Sequence, residues 1–412
     1  MKIFFSQNIL FVLFMSILAC NKPITELKTG NWRAILKTEN GQEIPFNFDV
    51  ENSEANKIIV IKNGDERLKV EEIEIEEDSI RIKMPLFDSE IHVKQEKNKL
   101  IGFWIKHLGN KDVLMPFEAI FDKAYRFSET SEASVKNISG RWETTFITYE
   151  NDTSIAVGEF TQKGKKVNGT FLTTTGDYRF LEGEVNGSNV SLSCFDGSHA
   201  FLFTATINDE NKLINGKFYS GLSYSENWYA TKNPDAKLPD AYSLTYLNSG
   251  YNNIEFTFPD LNKKNVSLSD DKFKNKVVII QIMGSWCPNC MDETAFLSDF
   301  YREKQAKGLE IIGLAYERSA DFTKASKNVL QLKKRFNADY TFLIAGVNDK
   351  AKVNETLPML SKVLAFPTTI VLDKSGKVNT IHTGFSGPGT GIYYDNFVID
   401  FTNRIDSLLA IK

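Results

Sequence analysis

The sequence predicts an antiparallel β-rich, internally duplicated N-terminal region followed by a C-terminal α/β domain with helices on both sides of a central sheet. Three observations carry this expectation. Apolar and polar residues alternate with period two over residues 24–230, short segments recur within that region about 110 residues apart, and beyond it continuous apolar runs alternate with helical stretches. At 412 residues and 42% hydrophobic content the chain is long enough for two or three domains, each with its own core. Lys and Arg total 49 against 53 Asp and Glu, a net charge of −4 that supplies no field for nucleic acid. Four His and four Cys argue against a multi-zinc protein, and no metal site is expected.

The N-terminus opens with Lys2 and an apolar run from Ile3 to Ala19 that stops at Cys20. This is short for a spanning helix of about 20 residues and reads better as an export leader over residues 1–19. Ile17-Leu18-Ala19-Cys20 resembles a bacterial lipobox, which implies lipid on Cys20 and a chain tethered to a membrane of the cell envelope, facing the periplasm. The alternative is a plain signal or anchor helix with an incidental Cys. Outside the cytosol thiols tend toward oxidation, so the remaining Cys194, Cys287 and Cys290 leave one unpaired.

Residues 24–135 and 136–230 form the two β-rich copies. Ile73, Ile75, Ile80 and Ile82 alternate with charged residues, as half-buried antiparallel strands do, so the acidic run Glu71–Asp78 reads as a solvated strand face. Gly30-Asn31-Trp32 recurs as Gly140-Arg141-Trp142, Phe87-Asp88-Ser89 as Phe195-Asp196-Gly197, and Asn98-Lys99-Leu100-Ile101 as Asn211-Lys212-Leu213-Ile214, at offsets of 110, 108 and 113 residues. Cys194, whose counterpart is Leu86, then reads as a small buried hydrophobe whose thiol burial keeps inert.

Residues 231–252, with Pro234 and Pro239, read as a linker, and the α/β domain covers 253–412. Val277–Met283, Leu309–Ala315 and Thr369–Leu372 are short apolar runs typical of strands buried on both faces. The first run leads into Gly284-Ser285-Trp286-Cys287-Pro288-Asn289-Cys290 and then a helix-compatible stretch. Strand, Cys-x-x-Cys turn and helix together form a redox context much stronger than the four-residue motif alone. Two intervening residues place the cysteines one helical turn apart, within disulfide reach. Cys287, at the helix N-terminus, meets unsatisfied N–H groups and the positive end of the macrodipole, so it is the expected nucleophile. Pro288 suits the first helical position, and Cys290 is the expected resolving thiol. Glu293 admits two readings: an inward carboxylate that relays the Cys290 proton, or, with Asp292, a complement to the helix dipole.

With these residues the chain resembles the TlpA/ResA group of membrane-anchored, thioredoxin-like disulfide reductases of bacteria, over about residues 253–412. Trp286-Cys287-Pro288-Asn289-Cys290 matches its Trp-Cys-x-x-Cys, Phe366-Pro367-Thr368-Thr369-Ile370 its Pro-Thr segment, and Glu293 its acidic residue. The resemblance implies a thioredoxin-like fold, a cis Pro367 facing the dithiol, and a substrate site including Trp286, Pro288, Phe366 and Pro367. It also implies a membrane thiol-reducing electron donor. Gln281 stands where cytosolic thioredoxins carry a buried Asp, the stretch Ser319–Lys362 is long for a minimal thioredoxin, and Gly384–Gly391 reads as a turn before the last helix rather than a nucleotide loop.

The expected activity is a thiol:disulfide oxidoreductase that reduces protein disulfides in the periplasm through its own Cys287–Cys290 couple, without an organic cofactor. Two rivals stand beside it. One is a peroxidase of the peroxiredoxin type, although Gly284, Ser285 and Trp286 replace that family's Pro and Thr ahead of the reactive Cys. The other is a partner-binding lipoprotein with an accessory redox domain, whose β region could use aromatics such as Trp228 and Tyr229.

Overall fold

The computed structural model describes residues 27–54, 56–109, 111–130 and 136–411; the leader segment and Cys20 lie outside the described residues. Among these residues the β-rich region forms two nine-stranded antiparallel sheets of matching topology. In each, the first strand pairs with both the second and the last. Gly30–Lys37 lies between Glu43–Asn52 and Asp112–Phe121, and Gly140–Ile147 lies between Thr153–Lys163 and Tyr224–Lys232. The recurring sequence segments fall at equivalent places. Trp32 and Trp142 are both fully buried and donate their indole N–H to the carbonyl four residues earlier, Lys28 and Ile138.

The two sheets differ in closure. Thr153–Lys163 also pairs with Lys166–Thr173, which joins the second sheet into a ring of eight strands, with the two-residue strand Gly176–Asp177 added outside it. The first sheet leaves Glu66–Val70 and Glu72–Glu76 as unpaired edges, and the acidic strand is charged and largely exposed, as an edge must be to resist further pairing. Part of its core is filled from outside: Phe195 of the second unit stacks on Phe46 at 4.3 Å and meets Trp104 edge-on at 5.2 Å. The second ring is packed with rings of its own, including Trp142, Phe146, Phe171, Phe203, Phe218 and Trp228, and Cys194 lies fully buried among them. Period-two alternation separates the two aromatics singled out above: Trp228 points into the barrel, whereas Tyr229 faces solvent.

In the C-terminal domain Val277–Met283 is the central strand. It runs parallel to Leu309–Glu317, which is parallel to Thr341–Val347, and antiparallel to Thr368–Leu372, beyond which lies Val378–Thr383. Every residue of the central strand is buried because both sheet faces are covered. Val277, Ile279 and Met283 share a core with helices α1 (Pro288–Lys304), α2 (Phe322–Phe336) and α4 (Ile392–Ala410). Val278, Ile280 and Ile282 face α3 (Lys350–Thr356) and the segment 254–273. The long stretch Ser319–Lys362 is accounted for by α2, the parallel edge strand and α3. The helices start where the chain supplies caps: Asp321 accepts from Lys324 N–H at 2.7 Å, and Asp349 from Ala351 N–H at 2.9 Å.

The Pro-rich segment between the parts is laid down on the protein. Its first residues, Thr231 and Lys232, complete the last barrel strand, Ala236 is buried against Val157 and Leu172, and Thr383 donates to Thr245 at 2.8 Å. Leu247 bridges to Leu360. Among the described residues no helix is long and apolar enough to cross a membrane.

Phe203 and Tyr229 test the barrel packing. Phe203→Ala should destabilise the full chain by about 3–5 kcal/mol in urea denaturation, whereas Tyr229→Ala should stay within about 0.5 kcal/mol of wild type.

Candidate active site

The central strand delivers the chain to the edge of the sheet, and Cys287 becomes the N-cap of α1 with extended backbone angles of φ −103° and ψ 114°. Its sulfur accepts a hydrogen bond from Cys290 N–H at 3.3 Å, and its thiol donates to the Phe366 carbonyl at 3.3 Å. Pro288 occupies the first helical position, where an N–H would have no partner. Cys290 follows one turn along and is fully buried, and burial, with Cys287 beside it, pushes its thiol well above the usual range. Both thiols are free.

Trp286 borders the dithiol, donating its indole N–H to Tyr316 O at 2.9 Å and meeting Phe366 edge-on at 5.4 Å. The Phe366–Pro367 bond is cis, and the Pro367 carbonyl accepts from Gly384 N–H at 2.9 Å. Trp286, Cys287, Phe366 and Pro367, separated by about 80 residues in the chain, therefore meet at one point.

Glu293 lies on the inward face of α1, with Leu297 and Phe300. It is 1% exposed, accepting from Thr369 Oγ1 at 2.6 Å and Gln281 Nε2 at 2.8 Å. Gln281 also reaches the Cys290 carbonyl at 3.4 Å, so the residue that replaces the thioredoxin Asp links this carboxyl to the dithiol helix. Burial lifts the Glu293 carboxyl to about 7, and the two donors only partly offset it. A carboxyl held this deep does not act as a solvated complement to the helix dipole. Asp292, its neighbour, turns the other way and is spent on an ion pair with Arg179.

The β region reaches this site. Arg179 donates to the Pro288 carbonyl at 3.2 Å as well as to Asp292, Asn289 Nδ2 donates to the Asp177 carbonyl at 3.3 Å, and Ser198 Oγ to the Trp286 carbonyl at 3.4 Å. Gly176, at φ +145°, brings the hairpin so close that a Cβ there would stand 2.4 Å from Asn289 Nδ2. Cys287, between these contacts in the chain, is only 6% exposed.

Residues 237–394 match the Redoxin family model. A thiol-disulfide oxidoreductase ResA from Bacillus thuringiensis subsp. konkukian is 32% identical over 124 residues, 30% of this chain and 62% of the relative. A thiol:disulfide interchange protein DsbE from Allochromatium vinosum is 26% identical over 130 residues, 32% of this chain and 64% of the relative. The C-terminal domain is ResA/TlpA-like. This chain spans less than two thirds of the length of those relatives. A solved DsbF homologue from Corynebacterium diphtheriae overlays on 43% of this chain and 98% of its own at 20% identity, with a TM-score of 0.31. The β-rich region lies outside the Redoxin match, apart from the ResA-like domain.

Residues missed by sequence reasoning surround the ResA-like dithiol. Glu317, buried at the end of its strand, accepts from Ser285 N–H at 2.7 Å and Ser285 Oγ at 2.6 Å and so fixes the turn before Trp286; burial raises its carboxyl. Arg318 lies over the Trp286 ring, 5.4 Å from its centroid. No spacing rule points to either, because strand ends meet only in the folded sheet. Gly384–Gly391 is indeed a turn before α4, but it also seats the β region: Gly387 N–H donates to Asp177 Oδ2 at 2.7 Å, and a Cβ on Gly384 would stand 2.8 Å from the Thr175 backbone.

Glu293 should leave a mark on stability. Below about pH 4.5 its carboxyl is protonated in native and unfolded chains alike; between there and about 7 only the unfolded chain loses the proton, so native stability falls as pH rises. Denaturant titrations across this window should show a loss of up to about 3 kcal/mol in wild type that Glu293→Gln removes from the slope.

Proposed function

We propose that the chain is a thiol–disulfide oxidoreductase that reduces disulfides of protein substrates. The observation that carries this reading is the arrangement at α1: a sulfur at the helix N-cap, a second thiol buried one turn behind it, and a buried carboxyl three residues further on. The Redoxin match and the names of the ResA and DsbE relatives support it.

The Cys287 thiolate attacks one sulfur of a substrate disulfide, forming a mixed disulfide as the substrate's other sulfur leaves as a thiolate. Any negative charge on Cys287 is met by the Cys290 N–H, a hydrogen bond that strengthens with charge. Cys290 must then lose a proton it holds tightly, and Glu293 is the base, poised near neutrality by its burial. The Cys290 thiolate attacks Cys287, the second substrate thiolate departs, and the pair is left as a disulfide, two electrons having passed to the substrate. An external dithiol restores the reduced pair, and no organic cofactor takes part. A membrane thiol-reducing system is the proposed donor. The lipobox-like segment ending at Cys20 supports placing the protein at the cell envelope, lipid-anchored and facing the periplasm.

Insulin reduction with a dithiol donor tests the roles. Cys287→Ser should abolish it, and Cys290→Ser should accumulate mixed disulfides through Cys287. Glu293→Gln should slow turnover by about 10- to 100-fold and remove the rise of rate with pH near 7. Unaltered turnover in Cys287→Ser would refute the assignment.

A further inference from the structure

Between the barrel of the second β unit and the redox domain, beside the dithiol turn, lies an open cleft of about 480 Å³. One side is the redox domain, with Trp286, Asn289, Ala365 and Phe366; the other is the β unit, with Phe146, Ile155, the hairpin Thr173–Arg179 and Phe201. We infer that this cleft is the substrate site, built jointly by the two domains, and that it takes a disulfide carried on an extended chain segment with an aromatic side chain beside the reactive cysteine. The inference rests on the disulfide-exchange reading above and adds to it a substrate class and a role for the β unit.

Four features of the cleft lead there. First, its redox side is made of Trp286, which directly precedes Cys287, and Phe366, whose carbonyl accepts from the Cys287 thiol at 3.3 Å, so the cleft adjoins the nucleophile although Cys287 does not itself line it. Second, the opposite wall is also aromatic: Tyr178 meets Phe201 edge-on at 5.4 Å, and His199 stacks on Phe201 at 4.6 Å. Rings on both sides favour a ring between them over an aliphatic or charged group. Third, the charged groups along the wall are already committed. Asp177 accepts from Gly387 N–H, Arg179 is tied to Asp292, and His199 is held by Asp196 and kept below its ordinary pKa by burial. Lys350, at the rim, is the remaining charge, so the occupant has little to neutralise. Fourth, the volume is of the size that holds a small molecule or short chain segment, not a folded domain. A folded substrate must therefore offer its disulfide on a loop or an unfolded stretch. The hydrogen bonds from Ser198, Asn289 and Arg179 across the domains hold the walls in register, so the cleft is preformed.

The test uses two cystine-bridged peptides that differ only in Phe or Gly beside the cysteine, with kcat/KM measured for the full chain and for two rim variants. Thr175→Trp and Ile155→Trp would fill the cleft from two sides, and both wild-type side chains are exposed, Ile155 by 50%. Wild type should prefer the Phe peptide by about tenfold, the low end of discrimination by an apolar pocket. The Phe:Gly ratio should fall toward one in both variants. Equal rates for the two peptides in wild type, or an unchanged ratio in both variants, would overturn the substrate assignment while leaving disulfide reduction standing. Failure of wild type to reduce either peptide or insulin would overturn the functional reading and this inference with it.

Discussion

Arg179 is the side chain on which the arrangement of the three units depends. It is 5% exposed and meets a carboxylate from each of them: Glu66 of the first β unit, Asp196 of the second at 3.6 Å, and Asp292 of the redox helix. Burial acts to lower the pKa of the guanidinium, but the three surrounding carboxylates outweigh it and hold the group well above its ordinary range. Asp196 is held down to about 2, its burial outweighed by His199 and Arg179. Asp292 stays above its ordinary range because burial prevails over Arg179, and the other carboxylates repel it. Such a buried ionic cluster contributes little net stability over an apolar replacement, yet losing one member strands the others, by about 3–5 kcal/mol. Its effect is geometric: one guanidinium ties a carboxylate of each unit to the same point.

The duplication gains meaning from where its equivalent turns lie. Phe87-Asp88-Ser89 and Phe195-Asp196-Gly197 touch each other, with Ser89 Oγ donating to the Gly197 carbonyl at 2.5 Å. Both also face the redox domain. Asp88 pairs with Lys324 of α2 at 3.1 Å, while Ser198, beside the second turn, bonds Trp286. Phe195 then enters the first unit's core, and the same buried apolar cluster continues to Cys287 and Met291. Two copies of one β unit thus present the same turn to two sides of the strand end that carries the dithiol.

Sequence patterns revealed what is local. Buried apolar runs marked the central strands, and the spacing of Glu293, Leu297 and Phe300 put a carboxyl on the inward face of α1. Repeated tripeptides marked equivalent turns. What could not be read is what lies across the interface. Arg179 and Asp292 are 113 residues apart, and neither stands in a motif. The glycines of 384–391 look like any turn until Thr175 and Asp177 are seen against them. The apparent linker hides its packing for a similar reason: Ala236 is a small residue whose burial needs Val157 and Leu172 from a distant strand pair.

The nucleophilic sulfur of Cys287 is only 6% exposed, and the β region packs beside it through Ser198 and Arg179. The most direct measurement is labelling of reduced Cys287 by two thiol reagents, iodoacetamide and a polymer-tagged maleimide, with peptide mapping of Cys194, Cys287 and Cys290. In wild type iodoacetamide should label Cys287 ahead of the other two while the polymer reagent labels it far more slowly, and Arg179→Gln should erase that difference in size selectivity. Rapid polymer labelling of wild-type Cys287, or first labelling at Cys290 or Cys194, would contradict the account.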